Sequence, residues 1–331
     1  MGFLSLIIAL LLEQARPLRT GNPVYRAVRA VADLLDRNFN AGEKQQGVLA
    51  WFVLVAPATI FVWVVFALLL RVHPFLGLAW NAFVLYLTLG FRQFSHFYTG
   101  IQLALADNDL ARARLLLTDW KREQDPTFSA ADLVLSDICR MAIEEALVAS
   151  HRHVFGVFFW FVVLPGPSGA VAYRLADFLA RRWNVTGRGL PPEPFGAFAK
   201  RAFEWIDWIP VRLTAVGFAI VGNFEDAVFS WRHHPEPRDD PSRGLLLAAG
   251  TGALGVRLGA AARNAPRPPV QPVVAEAGGV EPSAADEAFA ETIPGVEASP
   301  AALRTAVGLV WRSMLLWMLL LLLLSLAGLF G

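Results

Sequence analysis

The sequence predicts an all-α, polytopic integral membrane protein with re-entrant or half-inserted helices and a helical cytoplasmic face. Three observations carry this expectation. Residues 307–330 read VGLVWRSMLLWMLLLLLLSLAGLF, with Arg312 their only charge, and about 20 apolar helical residues suffice to cross a bilayer core. Residues 51–70, WFVLVAPATIFVWVVFALLL, form a second uncharged run of spanning length. The 331-residue chain is 55% hydrophobic and 17% charged, where soluble domains carry ~25% charge.

Taken in order, the N-terminal MGFLSLIIALLLEQ lacks a basic n-region and a small-residue cleavage site, so it reads as a retained apolar helix too short to span. A polar stretch at 13–46 carries Arg16, Arg19, Arg26, Arg29, Arg37 and Lys44. Residues 47–72 are the first crossing, with Pro57 as a kink that neighbouring helices can accommodate. Residues 75–91 offer a second crossing, made less oily by Trp80, Asn81 and Tyr86, and the two runs form a hairpin over 47–91. Residues 92–152 read as water-facing or interfacial helices. Leu103, Leu110 and Leu117 recur at helical spacing, Asp125-Pro126 is a break, and Ser129 with Asp132 suggests the N-cap of the next helix.

The 154–180 run contains PGPSG at 165–169. Each flanking arm of roughly 12 residues covers about 18 Å, short of the ~30 Å core. A re-entrant hairpin with both ends on one face is therefore expected, a kinked full crossing being the alternative. Arg181, Arg182, Arg188, Lys200 and Arg201 follow it and belong inside under the positive-inside rule. Residues 203–231 are amphipathic or half-inserted. Residues 264–300 are rich in Pro, Ala, Glu and Gly and read as a disordered linker, ahead of the C-terminal crossing at 301–331. The membrane domain is thus 1–263.

Composition also excludes. Net charge is +1, which provides no field for nucleic acid. A single cysteine, Cys139, rules out an internal disulfide or a cysteine metal cluster and reads as a packing residue.

Several constellations could carry chemistry. Arg140, Glu144 and His151 are separated by four and seven residues and share a helical face; Glu145 and Arg152 repeat the longer spacing. Glu144 or Glu145 could act as acid, base or cation ligand, and His151 as proton carrier. A solvated face with routine ion pairs fits the same pattern. In TGALGVRLG at 251–259, glycines around Arg257 allow close backbone approach to a phosphate or carboxylate, or tight helix packing. In IPVRLTA at 209–215, the proline reads as a helix start with Arg212 in its first turn, facing the headgroup zone, either as a ligand contact or as a snorkelling side chain. Arg174 with Asp177 suggests an intrahelical pair, and His233-His234 a poor metal site.

Three of these fragments stand in a particular order: FFWFVVLPGPSGAVAYRLADFL (158–179), FGAFAKRAFEWIDWIPVRLTA (195–215) and PSRGLLLAAGTGALGVRLG (241–259). Together they resemble the CobD/CbiB family of cobalamin biosynthesis and the related AmpE family, over roughly residues 2–259. NPVYRAVR at 22–29 sits where that family has a His-Pro-Val segment. The resemblance implies a bacterial inner-membrane protein. In the cobalamin branch it implies amide formation, in which ATP activates a carboxylate of adenosylcobyric acid for joining to aminopropanol or its phosphate. Mg²⁺ would shield the phosphates and acidic side chains would hold it.

The chain departs from that branch at identifiable positions. Val148, Ala149, Ser150, His151, Arg152 and His153 replace the family's Glu-Asn-Thr-Ser-Asp-Gly run. Phe203 and Glu204 stand for a paired Asp-Asp, and Ala180 for the aspartate after Tyr-Arg. The retained residues are Arg174, Arg212 and Arg257, with Glu144, Glu145 and Glu204 as nearby acids. A basic and aromatic run before Phe-Trp is similar to the AmpE branch, which implies inner-membrane sensing linked to β-lactamase induction.

The expectation drawn from this is an AmpE-like sensor or regulator. It would bind an anionic small molecule (nucleotide, corrinoid or cell-wall fragment) at its cytoplasmic face through Arg140, Arg152, Arg174, Glu204, Arg212 and Arg257. Arg174, Arg212 and Arg257 are expected to converge in one pocket, and no protein-held metal is expected. The alternatives are an ATP- and Mg-dependent amide ligase, with Glu144, Glu145 and His151 as catalytic candidates, and a structural scaffold.

Overall fold

A computed structural model describes residues 2–16, 22–40, 43–122, 125–184, 194–233, 240–259 and 295–330. Among them the protein is a helical bundle. It comprises α1 (Gly2–Ala15), α2 (Pro23–Phe39), α3 (Lys44–Val72), α4 (Pro74–Thr88), α5 (Phe91–Ala106), α6 (Leu110–Arg122), α7 (Leu135–Ser150), α8 (Gly156–Val163), α9 (Ser168–Arg182), α10 (Pro194–Val221), α11 (Phe224–His233), α12 (Pro241–Leu254) and α13 (Pro300–Phe330).

Local chemistry sets several helix starts. Asn22, His73 and Asp240 each precede a proline, and each caps α2, α4 or α12 with a side chain that accepts a backbone N–H. Such residues satisfy first-turn donors, and proline at the first helical position loses no hydrogen bond. α12 ends at Gly255, whose φ of 64° is the left-handed cap that glycine adopts without penalty.

Three helical stretches are long and apolar enough to cross a membrane: Lys44–Val72, Leu135–Val163 and Pro300–Ala327. The first and last match the crossings expected from sequence. The middle one does not. α7 continues into α8 through a five-residue π turn, His151–Phe155, so the chain has no break where the sequence suggested a boundary between 152 and 154. Conversely α4, expected as a crossing, has 15 residues and extends only about 22 Å. It still forms the expected hairpin against α3.

Other boundaries also shift. Ser129 does not cap a helix; α7 starts at Leu135, after Val134, with no side-chain cap, and Ser129 Oγ instead accepts Ala131 N–H within a turn. The leucines at 103, 110 and 117 lie on two helices, because Asn108, at φ 58°, turns the chain between α5 and α6. The 203–231 segment belongs to a 28-residue helix, α10, followed by α11, so Pro210 lies inside a helix rather than starting one. The PGPSG break falls where expected: Gly166 has φ 64°, and α8 folds back on α9. The two arms touch so closely that a Cβ on Gly169 would stand 1.9 Å from Trp160 O.

α10 is central, packing on α3, α9, α12 and α13. Of the expected 264–300 linker, only 295–300 lie among the described residues. There Val296 pairs with the exit of α12, its N–H donating to Gly255 O at 2.9 Å and its C=O accepting from Arg257 N–H at 2.9 Å. Arg188 and His234 lie outside the described residues.

Candidate functional site

The polar interior is organised around the π turn. A π turn inserts a residue into the helical ladder and rotates the side chains beyond it. His151 and Arg152, its first residues, reach two different neighbours.

His151 faces α10. Its Nε2 lies 2.8 Å from Asp207 Oδ1 and its Nδ1 2.9 Å from Thr214 Oγ1. Thr214 Oγ1 also lies 2.9 Å from Pro210 O, so its hydroxyl hydrogen can go to that carbonyl or to Nδ1. Tyr173 OH, from α9, donates to the same Asp207 oxygen at 2.8 Å. All four side chains are buried. The second Asp207 oxygen, Oδ2, is buried without a hydrogen-bond partner.

Pro210 adds to this arrangement. It lacks the N–H that would bond Ile206 O, and Trp160 Nε1 from α8 takes that carbonyl at 3.1 Å. α10 is not one of the three spans. Burial alone would raise the Asp207 carboxyl, but His151, Arg152 and Tyr173 together hold it below its ordinary 3.8.

Arg152 turns to a second cluster. Its guanidinium lies over the Phe203 ring at 5.7 Å, donates to Asp240 Oδ2 at 3.1 Å, and stands 3.9 Å from Asp177 Oδ1. Asp177 is fully buried and also receives Arg174 at 3.2 Å and a close bond from Arg181. The Arg174–Asp177 intrahelical pair read from the sequence is therefore present. One buried carboxylate thus serves three guanidinium groups, with Asp240 sharing only Arg152. Arg174 and Arg181 reach outward, their side chains 22% and 36% exposed.

A third cluster joins α7, α6 and α12. Glu144 accepts from Arg140 at 3.0 Å and from Gly259 N–H at 2.8 Å. Glu145 accepts from Lys121 at 3.0 Å and Arg243 at 2.7 Å. Asp240 connects the second and third clusters, because it also caps the first turn of α12 through Arg243 N–H at 3.0 Å.

The expected site residues divide accordingly. Arg140 and Glu144 share a face as predicted, but His151 leaves them for α10. Glu145 and Arg152 reach different partners. Arg174 and Arg152 meet over Asp177. Arg212 does not join them: it donates to Trp208 O at 2.9 Å and its guanidinium lies 3.9 Å over the Trp208 ring, on the exposed face of α10. Arg257 makes no ion pair with the described residues, and its Nε is buried without a hydrogen-bond partner. Glu204 is half-buried and likewise makes no ion pair among the described residues. The convergence of Arg174, Arg212 and Arg257 is thus not formed, because Arg212 occupies the turn of α10 that faces away from the bundle.

The sequence reading missed Asp207, Thr214, Asp240 and Arg243. Asp207 stood beside the noted IPVRLTA string, and Asp240 before Pro241 has the form of a helix cap; neither pattern reveals a partner on another helix.

Among the described residues no three His, Cys, Asp or Glu side chains group as a metal would require. Asp177 lies beneath three guanidinium groups, which repel a divalent cation and favour a phosphate or carboxylate. These residues do not fit a protein-held Mg²⁺.

Comparison with known proteins gives this geometry a context. The family model described as CobD/Cbib protein matches residues 4–290. Cobalamin biosynthesis protein CobD of Stutzerimonas stutzeri is 35% identical over 266 residues, 78% of this chain and 83% of its own length. Cobalamin biosynthesis protein CobD of Chromobacterium violaceum is 33% identical over 218 residues, 66% of each chain. Cobalamin biosynthesis protein CbiB of Salmonella typhimurium is 25% identical over 219 residues, 64% of this chain and 66% of its own. No solved structure matches the chain.

Proposed function

The chain belongs to the CobD/CbiB family, and from that premise we propose that it is a bacterial inner-membrane protein of cobalamin biosynthesis, of the class that joins a corrinoid carboxylate to aminopropanol or its phosphate. The observation that supports this reading is the shared carboxylate of Asp177. Arg152, Arg174 and Arg181 outnumber it, so the cluster retains positive charge, and the two arginines nearest the surface can turn to an incoming anion. A carboxylate or phosphate matches their planar donors.

In this reading Arg174 and Arg181 hold the anion. Asp177 positions them, and Arg152, seated over Phe203 and tied to Asp240, fixes the inner edge. His151, Asp207, Thr214 and Tyr173 form the rigid floor. ATP would supply the activation of the carboxylate. The acids present are already paired with cations, so no step is assigned to a metal held by this chain.

The test is complementation of a bacterial strain that lacks its own synthase and depends on supplied cobinamide. Expression of this chain restores growth on cobyric acid and aminopropanol, and Arg174→Ala lowers it at least tenfold. A well-expressed wild type that fails to restore growth overturns the proposal.

The same arginine excess, without grouped acids, also favours the second reading: an AmpE-like sensor that binds an anion without turning it over. Purified protein would then gain thermal stability from one of ATP, adenosylcobyric acid or a muropeptide, lose that gain in Arg174→Ala, and fail in complementation. Absence of any shift removes this reading.

A further inference from the structure

A cavity of about 380 Å³ lies apart from the charged clusters, within the ~300–1,000 Å³ range of small-molecule sites. Its walls come from Phe3 of α1, Phe66 of α3, Leu164 at the end of α8, and Leu321 and Ser325 of α13. α3 and α13 are both long and apolar enough to cross a membrane, so in a bilayer an opening between them would face hydrocarbon rather than water.

Asn81, from α4, also lines this cavity. It is 4% exposed, and its carboxamide oxygen is buried with no hydrogen-bond partner. An unpaired polar group among lipid-facing helices is costly, because no water is at hand to satisfy it. A carboxamide oxygen only accepts, so a hydroxyl or an amide N–H can satisfy it, and an ester cannot.

We propose that this cavity is a lipid site. It takes one acyl chain of a membrane lipid laterally from the bilayer, with Asn81 Oδ1 accepting from a hydroxyl or amide N–H next to that chain, as the free hydroxyl of a lysolipid provides. The bilayer supports this choice of occupant: acyl chains are the molecules present at high concentration along that wall. Apart from Ser325, the remaining lining is apolar and matches a hydrocarbon chain. A bound lipid would tie α1 and α13 to the turn between α8 and α9, since all three contribute to the wall.

The test is native mass spectrometry of the full chain extracted from membranes in a mild detergent. Wild type carries one retained lipid. Ser325→Trp, which fills the cavity from its rim, reduces that adduct at least tenfold, and Asn81→Leu reduces it several-fold. Leu319→Trp, on the exposed side of the same helix, leaves it unchanged. Equal lipid loads in wild type and Ser325→Trp, or a loss in Leu319→Trp matching that in Ser325→Trp, overturn the proposal. Full retention in Asn81→Leu overturns the role of Asn81. A second measurement does not depend on the variants folding: adding oleoyl lysophosphatidylethanolamine to delipidated wild type raises its melting temperature, and no shift overturns the site.

Discussion

His151 Nε2 and Asp207 Oδ1 lie 2.8 Å apart, with the two side chains 2% and 0% exposed. The bond joins α10 to the π turn of a spanning helix, and Tyr173 fastens α9 to the same oxygen. Replacing Asp207 with Ala leaves both an imidazole nitrogen and a phenol hydroxyl buried without their acceptor. Such losses cost about 1–3 kcal/mol each. Asp207→Ala should therefore lower the thermal midpoint in detergent more than His151→Phe, which removes one partner. A double variant should cost less than the sum of the two; strict additivity would show that the pair is not coupled.

The same carboxyl makes stability pH-dependent at the acid end. Its folded value lies below the ordinary 3.8, because His151, Arg152 and Tyr173 outweigh the effect of burial. A depressed carboxylate contributes stability that is fully present above its unfolded value and is lost as pH falls through its folded value. Wild type should hold a flat midpoint from pH 7 down to about 4 from this group and then weaken, whereas Asp207→Asn should lack that acid-limb decline. Parallel acid limbs in the two proteins would assign the decline to other groups.

Arg174 and Arg212 separate the charged cluster from the outer face of α10. Arg174 engages the shared Asp177, while Arg212 folds onto Trp208. A charge-assisted bond is worth about 1.5–3 kcal/mol, or roughly tenfold and more in binding. Arg174→Ala should lower complementation at least tenfold, and Arg212→Ala should leave it within about twofold. Equal losses would return Arg212 to the site.

Two glycines should respond oppositely to alanine. A Cβ on Gly47 would stand 2.1 Å from Phe195 O, where α3 crosses α10, whereas at Gly308 nothing lies within 4 Å. Gly47→Ala should destabilise by about 1–3 kcal/mol or more. Gly308→Ala should be neutral or stabilise by up to about 1 kcal/mol through helix propensity. Thermal midpoints of the two purified variants decide it.

The sidedness of the α8–α9 hairpin can be read by labelling. If 154–180 is re-entrant, a cysteine replacing exposed Arg201 reacts with an impermeant maleimide only from the cytoplasmic side. Labelling from the periplasmic side would make that segment a full crossing.

The sequence by itself determined the solvent, the helical class and the local pairs. Hydropathy along 51–70 and 307–330 is a property of consecutive residues, and so is the helix break at 165–169. The Arg140–Glu144 and Arg174–Asp177 pairs follow from spacings of four and three residues along one helix. Only the tertiary structure decided which helix each charged face meets. His151 and Asp207 are 56 residues apart, and Arg243 is 98 from Glu145. Spacing places a side chain on a face of its own helix but does not name the neighbour beyond it. The π turn then changes that face from within, by adding a residue that no periodicity in the chain announces, and it sends His151 and Arg152 to separate clusters. Arg212 shows the converse: the sequence put it in a helix, but in the first turn after Pro210, whereas α10 begins at Pro194, and whether its turn looked into the bundle or away from it depended on how α10 lies against α3, α9, α12 and α13.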